Sequence, residues 1–261
     1  MPLTVTADHE TIAALLDGYL AADPVRATLL GTIRASLAGT AWAAYHDGGI
    51  AVRSEADYPV SVYGEWPAAR SAELSELFGA LPGLRGVSGE QGVVAGLAGD
   101  RAGRRMAQRL FRLDTLVPPD GVPGSAVVAG PAERDLVRAW CYTFLVEAED
   151  ALVSERAARR IADRAVDGGN CFLWSDGTEV VSMAARRPVI AGSARVGPVY
   201  TAPEHRGRGF GSAVTAAATR SILDDGAVPV LFTDLANPTS NKIYQQLGYR
   251  PVEDRLIVTF G

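Results

Sequence analysis

A mixed α/β fold is what the sequence predicts, and three observations predict it. Segments of helical and of strand periodicity alternate along the 261 residues. In the second half, two helical segments lead into a run of strands with tight turns, then into strand–helix–strand–helix–strand; parallel pairing there requires crossover helices, so the sheet must be mixed. The composition, 48% hydrophobic and 21% charged, is that of a chain able to bury a core, neither disordered nor fibrous.

The elements follow in order. Asp8 to Ala22 reads as a helix with Ile12, Leu15, Leu16, Tyr19 and Leu20 on its apolar side. A second helix follows Pro24 and carries Leu29, Leu30 and Ile33. Ala41 to Tyr45 and Ala51 to Arg53 are expected strands around the turn Asp47-Gly48-Gly49, with Val60 to Tyr63 a further strand. Ser71 to Leu81 is helical, and Arg109 to Leu116 closes this part as a strand.

Val117 to Pro131 holds four prolines and three glycines and is expected to be a linker, dividing the chain into residues 1–120 and 131–261. Beyond it, Asp135 to Ala148 and Glu155 to Val166 are helical, the latter stopped by Gly168-Gly169. Strands are expected at Cys171 to Ser175, Val180 to Ala185 and Arg195 to Thr201. Ser212 to Leu223 is a helix, Pro229 to Leu235 a strand, Thr239 to Leu247 a helix and Leu256 to Phe260 a strand.

Composition narrows the function. With 25 basic against 30 acidic residues the net charge is −5, which is no footprint for a nucleic-acid backbone. Lys242 is the only lysine; this reliance on arginine, with abundant Ala and Gly, suggests a GC-rich bacterial genome. Cys141 and Cys171 lie in apolar surroundings and are too few for a disulfide framework. The first ten residues lack the pattern of a signal peptide, and no apolar run reaches about eighteen residues, so a cytoplasmic protein with no membrane partner is expected. His9, His46 and His205 are scattered and no CxxC pair exists, so no metal is expected.

The chemistry is expected in two stretches. The first, Arg195 to Ser212, is a strand running into a loop that opens a helix; Gly207, Gly209 and Gly211 alternate there with Arg208 and Phe210. Such glycines let a backbone approach a ligand and leave successive N–H groups free for one anion. The helix start adds its unpaired N–H groups and dipole, and Arg206 and Arg208 add charge, together a pyrophosphate cradle. A glycine-rich turn that only changes direction is the plain alternative. The stretch is neither a P-loop nor GxGxxG, because Ser212 stands at the third glycine. Gly197-Pro198 predicts a bulge that parts the strand from a neighbour and exposes backbone groups, or else an edge strand.

In the second stretch, Asn237 is an expected N-cap, Pro238 the first helical residue and Gly248 the stop. Helical spacing aligns Asn237, Ser240, Asn241 and Tyr244 on one face. That stripe either faces the cleft of the glycine loop or is a capped helix with a core tyrosine.

Together the stretches resemble the GNAT superfamily of acyl-CoA-dependent N-acyltransferases. Its pyrophosphate motif is met by Arg206, Gly209 and Gly211, and its later motif by Asn237, Asn241, Tyr244, Gly248 and Tyr249. The resemblance covers roughly Ala132 to Gly261. It implies a GNAT-like fold with a degenerate GNAT-like domain before it, in which Gly86, Gly89 and Gly92 stand for an eroded loop.

It further implies acetyl-CoA as cosubstrate and an amine of a small molecule or peptide as acceptor, attacked directly in a ternary complex. By that likeness the backbone of Val199, Tyr200 and Thr201 bonds the pantetheine arm and the thioester carbonyl, where one oxyanion donor is worth about 3 kcal/mol. Arg206, Gly207, Arg208, Gly209, Phe210, Gly211 and Ser212 hold the pyrophosphate, Asn237, with Ser240 and Asn241 beside it, faces the arm, and Tyr244 protonates the departing thiolate.

The strand before the loop carries no carboxylate; Glu204 is expected to shape the loop by pairing with an arginine, Glu147, Glu149 and Asp150 either attract an amine and relay its proton through water or form an ordinary solvated helix end, and the general base stays unassigned. Oligomeric state, monomer or homodimer, is left open. The rival readings are an acyl-CoA-binding sensor without catalysis and a nucleotide-binding module.

Overall fold

The computed structural model describes residues 3–56, 58–81, 83–148 and 154–260. They form two compact units, one of residues 1–110, 233–237 and 252–261, the other of residues 111–232 and 238–251. Neither unit is a continuous stretch of chain, and the division differs from a break at a linker.

In the first unit the order is β1 (Thr4–Thr6), α1 (His9–Ala22), α2 (Thr28–Arg34), β2 (Trp42–His46), β3 (Gly49–Arg53), β4 (Val60–Gly64), α3 (Ala68–Ala80), β5 (Gly86–Glu90) and α4 (Gln91–Ala98). Asp8 caps α1 through its carboxylate, which accepts from the Thr11 N–H at 2.8 Å. Pro24 does not open α2; the chain turns first and the helix begins at Thr28. β1 through β4 pair antiparallel, and β4 pairs in parallel with β5 through the α3 crossover.

The sheet of this unit is completed by the far end of the chain. β12 (Tyr249–Phe260) lies antiparallel to β5, with Leu256 opposite Gly89 and Val258 opposite Val87. Leu256 and Val258 pack with Val62, Leu74, Phe78, Val87, Val94 and Leu97 in one buried cluster.

The expectation of an eroded glycine loop at Gly86, Gly89 and Gly92 is corrected here. Gly86 and Gly89 belong to β5, and Gly92 lies in α4, whose N-cap Glu90 accepts from the Gly92 and Val93 N–H groups. A side chain at Gly89 would meet the Val62 carbonyl oxygen at 2.5 Å, so glycine serves strand packing there. The place that corresponds topologically to a strand–loop–helix cradle is the short connection between β4 and α3, which includes Glu65, Trp66 and Pro67.

The second unit runs β7 (Ser125–Val128), α5 (Arg134–Glu147), α6 (Glu155–Asp167), β8 (Cys171–Ser175), β9 (Val180–Arg186), β10 (Ser193–Thr201), α7 (Phe210–Asp224), β11 (Val228–Asp234) and α8 (Pro238–Gln246). The last two residues of β11, Thr233 and Asp234, fall in the short stretch assigned to the first unit, and α8 begins just after it. β7 to β10 pair antiparallel in sequence order, and β10 pairs in parallel with β11.

Successive residues of β9 serve opposite faces, as the pleat requires. Met183 and Ala185 join the α5–α6 side with Val137, Cys141, Leu145, Ala158 and Ala162, while Ala184 joins the α7 side with Val214, Ala218, Ile222, Leu247 and Tyr249. Phe111 and Leu113, at the end of β6 (Gly103–Leu113), pack into that second cluster.

The expected linker is structured. β7 lies inside it and pairs with β8 from Ser125 opposite Ser175 to Val128 opposite Phe172, with all four residues exposed. The Trp174 indole N–H donates to the Pro123 carbonyl at 2.9 Å, and the Val117 N–H donates to Leu247 at 3.0 Å. Backbone pairing at an edge overrides the breaker residues on either side of it.

α5 and α6 are clamped at one end by charge. Arg138 grips both oxygens of Asp163 at 2.8 and 3.0 Å, and Arg134 bonds Asp163 and Asp167. The bonds from Arg138, then Arg134, hold the Asp163 carboxyl below its ordinary range. A lowered folded value stabilises above the unfolded one and is lost as pH falls through the folded one. Asp163→Asn is therefore expected to lower the unfolding midpoint at neutral pH, and the gap to wild type is expected to close in acid; a thermal-melt series against pH checks it.

No helix among the described residues is long and apolar enough to cross a membrane.

Candidate functional site

Seven of the residues singled out in the sequence are consecutive in the second unit: Arg206 to Gly209 lie between β10 and α7, and Phe210, Gly211 and Ser212 open α7. β10 pairs in parallel with β11 from Ser193 to Val196, opposite Val228 to Leu231. Its antiparallel register to β9 shifts between Val196 and Val199, which is the bulge expected at Gly197-Pro198, a cis peptide bond.

Past the bulge the ladder is regular again, with Val199 opposite Ala184, Tyr200 opposite Met183 and Thr201 opposite Ser182. The Ala202 N–H donates to Val181 at 3.2 Å. Because hydrogen-bonded and non-bonded pairs alternate in such a ladder, the backbone groups of Val199 and Thr201 point away from β9, and those of Tyr200 point towards it. Val199 thus presents its peptide groups, and Thr201 its N–H, on the side where an extended ligand could bond, while the Thr201 carbonyl accepts from Arg206 and the Tyr200 ring is buried beside Trp140. The Tyr200 carbonyl also accepts from the Ser182 hydroxyl at 2.9 Å, and Ser182 lies 2.8 Å from the Thr201 hydroxyl. Ser182 went unnoticed in the sequence; a lone hydroxyl within Val-Val-Ser-Met-Ala-Ala was the available signal.

The loop then turns on glycine. Gly207 and Gly209 have φ of +76° and +85°, a left-handed conformation that only glycine adopts without strain. Gly209 is the N-cap of α7, and the Ala213 N–H is already taken by its carbonyl at 3.0 Å. The helix geometry leaves Phe210, Gly211 and Ser212 as first-turn N–H donors. A side chain on Gly211 would stand 3.1 Å from the Thr201 hydroxyl, so its small size lets the end of β10 approach the helix start. Phe210 is buried and anchors that start.

The two arginines have different surroundings. Arg206 donates through Nε to the Thr201 carbonyl at 2.9 Å and through Nη2 to both oxygens of Glu147 at 2.8 and 2.7 Å. It also lies over the Tyr200 ring, 5.6 Å from its centroid. Arg208 stacks on Phe210 at 4.7 Å, with Nη1 3.3 Å from Nδ1 of His205. His205, whose Nε2 is 3.5 Å from Glu179, was read in the sequence only as a scattered histidine.

α8 carries the second motif. Ser240, Asn241 and Tyr244 are half-buried on one face, whereas Thr239, Lys242, Gln245 and Gln246 are exposed. Tyr244 packs on the cluster that also receives Val199 and stands edge-on to Tyr249 at 6.3 Å. Burial pushes its phenol up to about 12, so it stays protonated. Tyr249 is fully buried with its hydroxyl 2.7 Å from that of Thr219. Asn237 precedes α8, is exposed, and belongs to the first unit; its N–H donates to Asp234 at 3.1 Å.

Of the carboxylates considered for a base, Glu147 is paired with Arg206, Glu204 is exposed beside His205, and Glu149 and Asp150 lie outside the described residues. Among the described residues no group of three or more His, Cys, Asp or Glu is placed to hold a metal ion.

A strand broken by a bulge, a left-handed glycine loop and a helix start without a side-chain cap form a strand–loop–helix unit of the kind that suits an anion. Residues 176–258, which contain all of it, match the family model described as FR47-like protein. The chain shares its fold with GNAT acetyltransferases. An acetyltransferase of the GNAT family from Colwellia psychrerythraea matches at 14% identity and a TM-score of 0.66, covering 100% of both chains. A GCN5-related N-acetyltransferase from Sphaerobacter thermophilus matches at 16% identity and 0.64, over 98% of this chain and 95% of that one. A tandem GNAT protein from the clavulanic acid biosynthesis pathway matches at 14% identity and 0.55, over 98% and 97%. No curated protein matches the sequence. The GNAT resemblance carried by the two motifs is thus met in the family model and in the fold.

Proposed function

We propose that the chain is an N-acetyltransferase that moves an acetyl group from acetyl-CoA to an amine of a small-molecule or peptide acceptor. The observation that carries this reading is the turn from Thr201 to Ser212, where two left-handed glycines and three first-turn N–H donors converge beside an arginine. Such a turn suits a pyrophosphate, and the outward-facing peptide groups of Val199 and the Thr201 N–H suit an amide-bearing arm.

In this reading the amine nitrogen attacks the thioester carbon and gives up one proton to water, the carbon–sulfur bond breaks, and the leaving sulfur takes the proton of the Tyr244 hydroxyl, which the released proton then restores. Burial keeps the phenol protonated, so the proton is in place at neutral pH. Attack is direct, because Cys141 and Cys171 are both buried with their thiols pushed up to about 12 and cannot serve as thiolate nucleophiles. Ser240 and Asn241, on the face of Tyr244, would line the arm.

The test is release of free CoA thiol from acetyl-CoA across a panel of amines, paired with calorimetry of CoA and of ATP. Acceptor-dependent release and CoA binding are expected. Absence of CoA binding would sink the proposal, and CoA binding without turnover on any amine would favour the sensor.

A further inference from the structure

We propose that Glu147 is a positioning residue for the acyl-CoA loop, making Arg206 a staple of that loop and leaving Arg208 as its phosphate-facing cation. This rests on the acyl-CoA reading above and assigns a role that the motif itself does not contain. Arg206 stands at the leading position of the glycine motif, where a phosphate contact would be expected. Its guanidinium is instead fixed from three sides: the Thr201 carbonyl at the end of β10, the Tyr200 ring, and both carboxylate oxygens of Glu147, the last residue of α5.

The Nε bond spans Thr201 to Arg206 and closes the loop into a ring. The Nη2 that would reach a phosphate bonds both oxygens of a carboxylate, and the charge is neutralised. Arg208 differs: Phe210 and His205 orient it, and among the described residues it makes no ion pair. Asp176 feels its charge but is bonded to Thr178.

The two roles for Arg206 predict opposite signs. If Arg206 bound phosphate, Glu147 would compete with the ligand, and Glu147→Gln would tighten CoA. If Arg206 is a staple, the same change frees the loop and weakens CoA. The experiment is calorimetric titration of CoA into wild type, Glu147→Gln, Arg206→Gln, the charge-neutral double variant and Arg208→Gln, at low and high salt, with melting curves as a folding control.

The expected result is weakening of about three- to fivefold in Glu147→Gln, the upper range for a half-exposed ion pair, with the double variant no worse than Arg206→Gln. The double variant is expected to keep the wild-type salt dependence and Arg208→Gln to flatten it. Tighter or unchanged CoA binding in Glu147→Gln, or a flattened salt dependence in the double variant, would overturn the proposal. Glu147→Ser repeats the test if the glutamine variant unfolds. Wild type that binds no CoA overturns the acyl-CoA reading itself, and the role of Glu147 with it.

Discussion

Tyr244→Phe is expected to lower turnover about a hundredfold on any amine that wild type accepts, while CoA affinity stays within about twofold. The substitution removes one hydroxyl and keeps the ring against Tyr249 and the cluster around Val214 and Leu247, so packing changes little. What is lost is the proton for the departing sulfur, which would then leave as a thiolate unaided. Because burial holds this phenol up to about 12, its role adds no fall in rate through the neutral range, and any pH limb there belongs to the acceptor or to another group. Thiol release against pH, with calorimetry on the same preparations, checks both parts. Equal turnover in the variant would remove Tyr244 from the chemistry; loss of CoA binding would place it in the binding site instead.

Gly248→Ala is expected to be the most damaging single methyl in the chain. Gly248 sits at φ +96°, and an added Cβ would stand 1.8 Å from the Thr115 carbonyl oxygen. The obstacle is backbone, tied down by the neighbouring bonds from Asp114 to the Gly248 carbonyl and from Val117 to the Leu247 carbonyl. Left-handed backbone costs an alanine about 1–2 kcal/mol, and displacing the Thr115 backbone in the bend after β6 brings the expected loss to about 3 kcal/mol or more.

Leu247 and Tyr249 on either side are core residues, so the damage spreads into the cluster behind Tyr244. A fall in the melting midpoint of order 10 °C is expected for a chain of this size. Gly96→Ala, inside α4 with nothing within 4 Å of its Cβ position, is the contrast and is expected to stabilise by about 0.5–1 kcal/mol. A loss under about 1 kcal/mol at Gly248 would show that the bend at Thr115 moves aside freely.

Gly248 also shows why one motif could be read without a structure. Pro238 at a helix start and glycine at its stop are local backbone requirements, written in the residues that meet them. The same holds for Gly207 and Gly209, whose left-handed φ makes the loop visible as a glycine pattern, and for Gly197-Pro198, where a missing N–H announces the bulge. Asp8, Ile12 and Leu16 expose α1 in the same way, as a cap and a periodic face. β5 was hidden because Gly-Val-Ser-Gly-Glu has almost no strand propensity and is held by what flanks it, Val62 on one side and Val258 on the other. β7 was hidden because four exposed residues among prolines become a strand only when β8 offers its edge.

The capped helices, the glycine turn, the bulged strand and the Tyr244 helix face are legible from the residues alone, because each is set by dihedral preference, hydrogen-bonding capacity or periodicity within a few residues. Which strands meet is a matter of long-range packing. It placed the chain's last strand beside β5, drew Phe111 and Leu113 into the second unit, and paired Arg206 with Glu147 across 59 residues of sequence. Those contacts are selected by packing and by charge neutralisation between distant segments, and no local pattern encodes the partner.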